Sequence, residues 1–160
     1  MRLTSYSNYS MRVLMVAAAR HPQLTTIQEV AEGFGISRAH LVKCVHQLGA
    51  RGFLATVRGH KGGFRLARPA ADIRVGDVMR CTEDGFDLVE CFDPASNTCP
   101  LAATCRLRTV LERARAAFLA ELDAVTLADI VGSGDAVLAL IDRHMAPPGC
   151  DAPARALQSA

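Results

Sequence analysis

Apolar residues recur at helical spacing three times within the first fifty positions. Met11, Leu14, Met15 and Ala18 lie three and four apart, predicting a helix over about residues 9–20 that Pro22 closes. Ile27, Val30, Ala31 and Phe34 repeat the pattern behind Thr26-Ile27-Gln28-Glu29. In that tetrapeptide the Thr hydroxyl and the Glu carboxylate can each satisfy a free helix N–H. Gly33 and Gly35 are expected to end this second helix in a tight turn. Ser37 offers an N-cap for a third helix reaching about Ala50. Leu41, Val45 and Leu48 should face inward with Val42 and Cys44 flanking them, while Arg38, His40, Lys43 and Gln47 stay outside. Helix, short glycine-containing turn, then helix with a basic outer face is the helix-turn-helix arrangement.

After Gly52 the runs shorten. Phe53–Val57 and Gly63–Leu66 read as strands around the turn Arg58-Gly59-His60-Lys61-Gly62. A hairpin joined directly to a helix-turn-helix is a wing. Arg58, His60, Lys61 and Arg65 suit it to phosphate or minor-groove contact, which supplies affinity rather than sequence readout. Pro69 closes the segment, and Val75, Val78 and Met79 predict a short helix. Residues 82–105 lack periodicity and contain Asp93-Pro94-Ala95-Ser96-Asn97, so they read as a loop.

Periodicity returns from Arg106 to about Ala124. Leu107, Leu111, Ala114, Phe118 and Leu122 form a stripe that Val110, Ala117 and Leu119 widen. So broad an apolar surface on one long helix calls for a second helix over it, and another copy of the chain can supply one. Thr126-x-x-Asp129 is a second capping box, opening a short helix to Val131; another helix is expected from Asp135 to His144. The Pro, Gly, Ala and Ser after Ala146 predict a flexible tail. The expected fold is mainly α with a small β-hairpin wing. Residues 1–80 form a winged helix-turn-helix, 81–105 a cysteine-rich loop, 106–132 a dimerisation helix with a short successor, and 133–160 a C-terminal helix and tail.

The 160 residues, half of them apolar, suffice for one proper core. The longest apolar run is Val13 to Ala19, seven residues, far short of the roughly 20 that span a bilayer. Polar Thr4-Ser5-Tyr6-Ser7-Asn8 follows Met1-Arg2 where a signal peptide would be apolar, so a cytoplasmic location is expected. Charge is more informative than composition. Residues 1–80 carry twelve Lys/Arg against four Asp/Glu, a formal +8, and residues 81–160 carry six against twelve, a formal −6. Such a split suits an N-terminal half that faces a polyanion, nucleic acid first among them. A solvated basic face is the plain alternative. Gln28, Ser37, Arg38, His40 and Lys43 are the candidate DNA contacts on the helices, with Ser37 a cap before it is a base reader. No Ser/His/Asp frame, P-loop or paired carboxylates occur, so no enzyme is expected.

Six cysteines are present, three of them in Cys91-x7-Cys99-x5-Cys105. In a cytosolic chain such a cluster points to metal or redox chemistry rather than disulfides. Three soft thiolates suit an iron–sulfur centre. Zinc competes, although no His lies within the loop to complete a closed site. Ordinary free thiols are the third alternative, but unreactive cysteines favour apolar surroundings. Cys44 falls there, on the inner side of the third helix; Cys81 is ambiguous and Cys150 lies in the tail. An electron-transfer or scaffold iron–sulfur protein would use the same thiols but leave the basic half unexplained.

These blocks, in this order, resemble the small winged-helix repressors that include NsrR, IscR and RirA. Met1-Arg2-Leu3-Thr4, Ser37-Arg38-Ala39-His40-Leu41-Val42-Lys43, Thr56-Val57-Arg58-Gly59-x-x-Gly62-Gly63 and Arg65-Leu66-Ala67-Arg68-Pro69 carry the first half. Glu90-Cys91-Phe92, Cys99-Pro100-Leu101, Cys105-Arg106-Leu107 and Thr126-Leu127-Ala128-Asp129 carry the second, so that about residues 1–132 are covered. The recognition-helix and Leu-Val-Glu-Cys blocks look most like the nitric-oxide-responsive NsrR branch, with the iron-responsive RirA branch close behind. The resemblance implies a homodimer on palindromic double-stranded DNA, with Cys91, Cys99 and Cys105 holding a 4Fe-4S or 2Fe-2S cluster and nitric oxide as the signal. It also implies a departure. Where NsrR-like chains commonly carry an acid that supplies a fourth ligand, Asn8 stands here, as in RirA-like chains.

Overall fold

The computed structural model describes residues 2–59 and 61–145. In order these form α1 (Ser5–Ala19), α2 (Ile27–Phe34), α3 (Arg38–Ala50), β1 (Leu54–Val57), β2 (Gly63–Leu66) and α4 (Val75–Thr82). Then follow α5 (Arg106–Ala124), α6 (Leu127–Val131) and α7 (Asp135–Met145). Short 3-10 turns at Ala70–Asp72 and Glu90–Phe92 flank α4.

The first helix begins at Ser5, four residues before the expected start at about residue 9. Thr4 caps it, its hydroxyl accepting from the Ser7 N–H at 3.2 Å, and the polar stretch 5–8 winds on from there. Its buried residues are Val13, Leu14, Val16 and Ala17 with Ser7 and Ser10, whereas Met11, Met15 and Ala18 are only partly covered. The expected stripe is displaced because α1 is the central helix. Packed by α3, α4, α6, α7 and β2, it buries more than one face.

The capping box of α2 forms as expected: the Glu29 N–H donates to Thr26 Oγ1 (3.2 Å) and the Thr26 N–H to Glu29 Oε2 (2.7 Å). Burial pushes the Glu29 carboxyl up, but the hydrogen bonds from Thr26 and Arg20 outweigh it and hold it below the ordinary carboxylate range. Gly35, at φ 62°, ends the helix, while Gly33 remains inside it. A Cβ on Gly33 would meet Ile141 Cγ2 at 2.7 Å, so its smallness lets α7 lie against α2.

Leu41, Cys44, Val45 and Leu48 of α3 are buried. Three details of that helix differ from expectation. Ser37 occupies the N-cap without a side-chain cap bond. Val42 is 50% exposed, since it follows Leu41 by one residue, about 100° around the helix and off the buried stripe. Gln47 is partly buried, because it accepts from the Tyr6 hydroxyl (2.5 Å) and donates to the Cys81 carbonyl (3.1 Å), joining α1, α3 and α4.

The hairpin is antiparallel, in register Leu54↔Leu66 to Val57↔Gly63, and Thr25 pairs with Phe64 on its other side through two 2.8 Å backbone bonds. Phe64, Leu14, Leu41, Leu48, Ile73 and Leu127 are the largest fully buried side chains. Each such burial contributes about 1.5–3 kcal/mol relative to exposure. The core thus sits where the N-terminal helices, the hairpin and α6 meet.

The fifth helix is different: it buries none of its residues. Its C-terminal end is nevertheless pinned to α4. The Val75 N–H donates to the Val125 carbonyl (3.0 Å) and the Leu127 N–H to the Ile73 carbonyl (2.8 Å). Both guanidinium arms of Arg80 reach the Asp123 carboxylate at 2.6 Å, and this fork holds Asp123 below the ordinary range. Among the described residues no helix is long and apolar enough to cross a membrane.

Candidate nucleic-acid interface and cysteine segment

The outer face of α3 exposes Arg38, Ala39, His40, Val42, Lys43 and His46. Beside it runs a cleft of about 320 Å³ between α2, α3 and the hairpin, lined by Gln28, Arg38, Thr56 and Val57 among others. The structure therefore gathers Gln28 and Arg38 at one cleft. Gln28 donates its amide to Glu32 one turn on and must give up that bond to reach a ligand. His40 stacks on Tyr9 of α1 with ring centroids 6.1 Å apart, at the flank of the face rather than its centre. Ser37 is exposed at the start of the helix.

Arg58, Lys61 and Arg65 are exposed on the hairpin, and His60 lies outside the described residues. The wing turn is closed tightly: a Cβ on Gly62 would lie 2.3 Å from the Val57 carbonyl oxygen, so only glycine fits. Among the described residues, none of Arg38, Lys43, Arg58, Lys61 and Arg65 is held by a carboxylate, while Arg80, Arg108 and Arg115 all are. One surface therefore presents five uncompensated cations around a helix of groove-fitting size.

The cysteine segment lies in the middle of the chain, between α4 and α5. Cys91 is buried in the Glu90–Phe92 turn and Cys99 is half-buried. Cys105 is the N-cap of α5, its Sγ accepting from the Arg108 N–H at 3.4 Å. Asp93 orders the loop by accepting from the Ala95 N–H (2.9 Å) and the Ser96 hydroxyl (2.8 Å), bonds that hold its carboxyl low. Arg115 of α5 clamps the segment, donating to Asp87 at 2.6 Å and resting 4.6 Å from the centre of the Phe92 ring.

The described cysteines are all free thiols. No three His, Cys, Asp or Glu side chains among the described residues converge closely enough to hold a metal ion. Cys91, Cys99 and Cys105 thus share one short segment without forming a closed set. In donor chemistry they fit an iron–sulfur group: three soft sulfurs, none in a disulfide, within one short polar segment. Asn8 is exposed on α1, beside Leu3, Met11 and Arg12 of a shallow groove. Cys44 is fully buried, its thiol directed at the Tyr6 carbonyl (3.9 Å) and pushed up by burial, as befits a core residue. Cys81 is half-buried, and Cys150 lies outside the described residues.

Sequence reasoning overlooked Ala39, Val42 and His46 on the exposed face and the Arg115 clamp. A helical projection of 38–50 would have found the first group. Nothing local signals the clamp, whose partners are 28 residues apart in sequence.

Residues 3–133 match the Rrf2 family, described as iron-dependent transcriptional regulators. The chain is 44% identical over 142 residues to the HTH-type transcriptional regulator NsrR of Bacillus subtilis, covering 88% of this chain and 97% of that one. Against NsrR of Geobacillus kaustophilus the identity is 46% over 132 residues, covering 82% and 90%. Among solved structures, the oxidized form of Staphylococcus aureus CymR superposes with a TM-score of 0.66 at 26% identity, over 82% of this chain and 97% of that one. T. potens IscR shares the fold with a TM-score of 0.65 at 24% identity, over 86% and 90%. A winged helix-turn-helix with an unpaired cationic face, matched along residues 3–133, belongs to the Rrf2 family of DNA-binding transcriptional regulators, and within that family the chain is most like NsrR.

Proposed function

We propose that the chain is a dimeric repressor that holds an iron–sulfur cluster on Cys91, Cys99 and Cys105 and releases operator DNA when nitric oxide reaches that site. When bound, such a group supplies iron with one position not held by a cysteine, open to a small diatomic molecule. The rest is the work of the chain. The observation that carries the proposal is the position of Cys105 at the start of α5, a helix whose far end is fastened to α4 by the 125–75 and 73–127 backbone bonds and by Arg80–Asp123. A change at the cysteine segment shifts or frays the first turn of α5, and the helix passes that to the DNA-binding core. A coupling of about 1–3 kcal/mol between the two states is enough to switch occupancy.

Leu107 and Val110, 63% and 57% exposed on α5, are the residues that a second copy would cover. Dimerisation would set two α3 helices against half-sites one helical turn, ~34 Å, apart, which requires a palindrome. Arg38 and Lys43 would enter the major groove with the hairpin cations on the flanking backbone, and Gln28 and Arg38 would line the entrance between them.

An iron-responsive repressor with the same ligands is the second reading, favoured by the amide of Asn8 where an acid would be the stronger iron ligand. A colourless, zinc-bound module is the third, and absorbance near 400 nm in anaerobic protein would exclude it. The deciding experiment is an anaerobic gel shift of iron-loaded protein on promoter fragments, titrated separately with nitric oxide and with an iron chelator. Release by the gas at chelator concentrations that leave the complex intact supports the first reading. Release by chelator alone supports the second.

A further inference from the structure

Val42 stands half exposed, off the buried stripe of α3. It is a β-branched apolar residue on the outer face of α3, 50% exposed, where a solvated helix would carry a polar side chain. Its neighbours on that face are Arg38 one turn before, His46 one turn after, and Ala39 and Lys43 alongside, so a small apolar spot sits beside two cations. A protein partner would meet that pair of cations with carboxylates. Duplex DNA meets it with phosphates, and it offers only one apolar group on the major-groove floor, the C5-methyl of thymine.

We propose that Val42 reads a thymine in each operator half-site by packing its γ-methyls on the thymine C5-methyl. Arg38 and Lys43 hold the helix in the groove, and Val42 supplies discrimination that charge cannot. The inference rests on the reading of α3 as the major-groove helix and deepens it.

The test starts from a duplex enriched out of random sequence by the iron-loaded protein under anaerobic conditions. Each thymine in the enriched half-site is replaced in turn by uracil, which deletes one methyl and leaves every hydrogen-bonding group. With about 0.8 kcal/mol per buried CH₂, one position should weaken binding about fourfold per half-site, or about fifteenfold when both half-sites are changed. Val42→Ala should bind the thymine and uracil duplexes equally, at the affinity of wild type for uracil, with an unchanged thermal melt because the site is exposed. Val42→Ile should keep the preference. A flat uracil scan in wild type, or a preference that survives in Val42→Ala, overturns the assignment to Val42. Arg38→Ala combined with Lys43→Ala should lose binding to the enriched duplex by at least about 100-fold. If that variant binds normally, or if no duplex is enriched, the placement of α3 in the groove falls instead.

Discussion

The N-terminal helices and the segment from 83 to 126 are built on opposite terms. Between residues 1 and 82 the helices and hairpin bury Val13, Leu14, Leu41, Leu48 and Phe64, each almost wholly covered by its own chain. From 83 to 126 only Cys91 is buried. The first region is a core completed within the chain by α6 and α7. The second is held by a few polar clasps, namely Arg115 on Asp87 and Phe92, and Arg80 on Asp123. Its apolar residues wait for another surface. A region with so little burial of its own opens locally at lower free-energy cost than the core.

Breaking the contrast most severely should be Cys91→Ser, Cys99→Ser or Cys105→Ser. Each is expected to abolish the absorbance near 400 nm and remove signal-dependent DNA release, a loss of order 100-fold in the response, while a thermal melt followed by far-UV circular dichroism keeps the main transition. Next comes the core. Leu41→Ala should destabilise by about 2–5 kcal/mol in urea unfolding, because the site is fully enclosed. Leu107→Ala should change the unfolding of the isolated chain by less than about 0.5 kcal/mol, yet weaken self-association in sedimentation equilibrium.

The α2 cap lies between these two in its effect on unfolding. Thr26→Ala should cost about 1 kcal/mol by removing the acceptor for the Glu29 N–H. Glu29 sharpens the point through pH. Its carboxyl is depressed in the folded chain, so its contribution is complete above the unfolded carboxylate range and disappears as pH falls through the lower folded value. Glu29→Gln should flatten that part of the stability–pH curve. The smallest effect on stability belongs to Asp123→Asn on the exposed fork to Arg80, which should leave the urea midpoint nearly unchanged. It should instead reduce the difference in DNA affinity between the two signalling states.

The contrast also explains what the sequence made legible. The capping boxes at Thr26 and Thr126, the inward Leu41, Val45 and Leu48 of α3 and the two strands of the hairpin are local or periodic, and the structure has each of them. The start of α1 was hidden because Ser5 to Asn8 carry no apolar signal, and Gln47 because its partners Tyr6 and Cys81 are 41 and 34 residues away. The cysteine spacing announced a donor set but not its geometry. Sulfurs close around a metal through bonds to the metal itself, and the free loop arranges Asp93, Asn97 and Arg115 instead. On the α3 face, the exposure of Arg38, His40 and Lys43 was legible, while Val42 was read as flanking the buried stripe and is exposed instead.

The central claim is that the state of the three thiols governs the grip of the basic end on DNA. Fluorescence anisotropy on one labelled operator duplex, with iron-loaded and iron-stripped protein compared without oxygen at one ionic strength, measures it directly. The account predicts tighter binding by the loaded form, by about tenfold or more. Equal affinities for the two forms would contradict it.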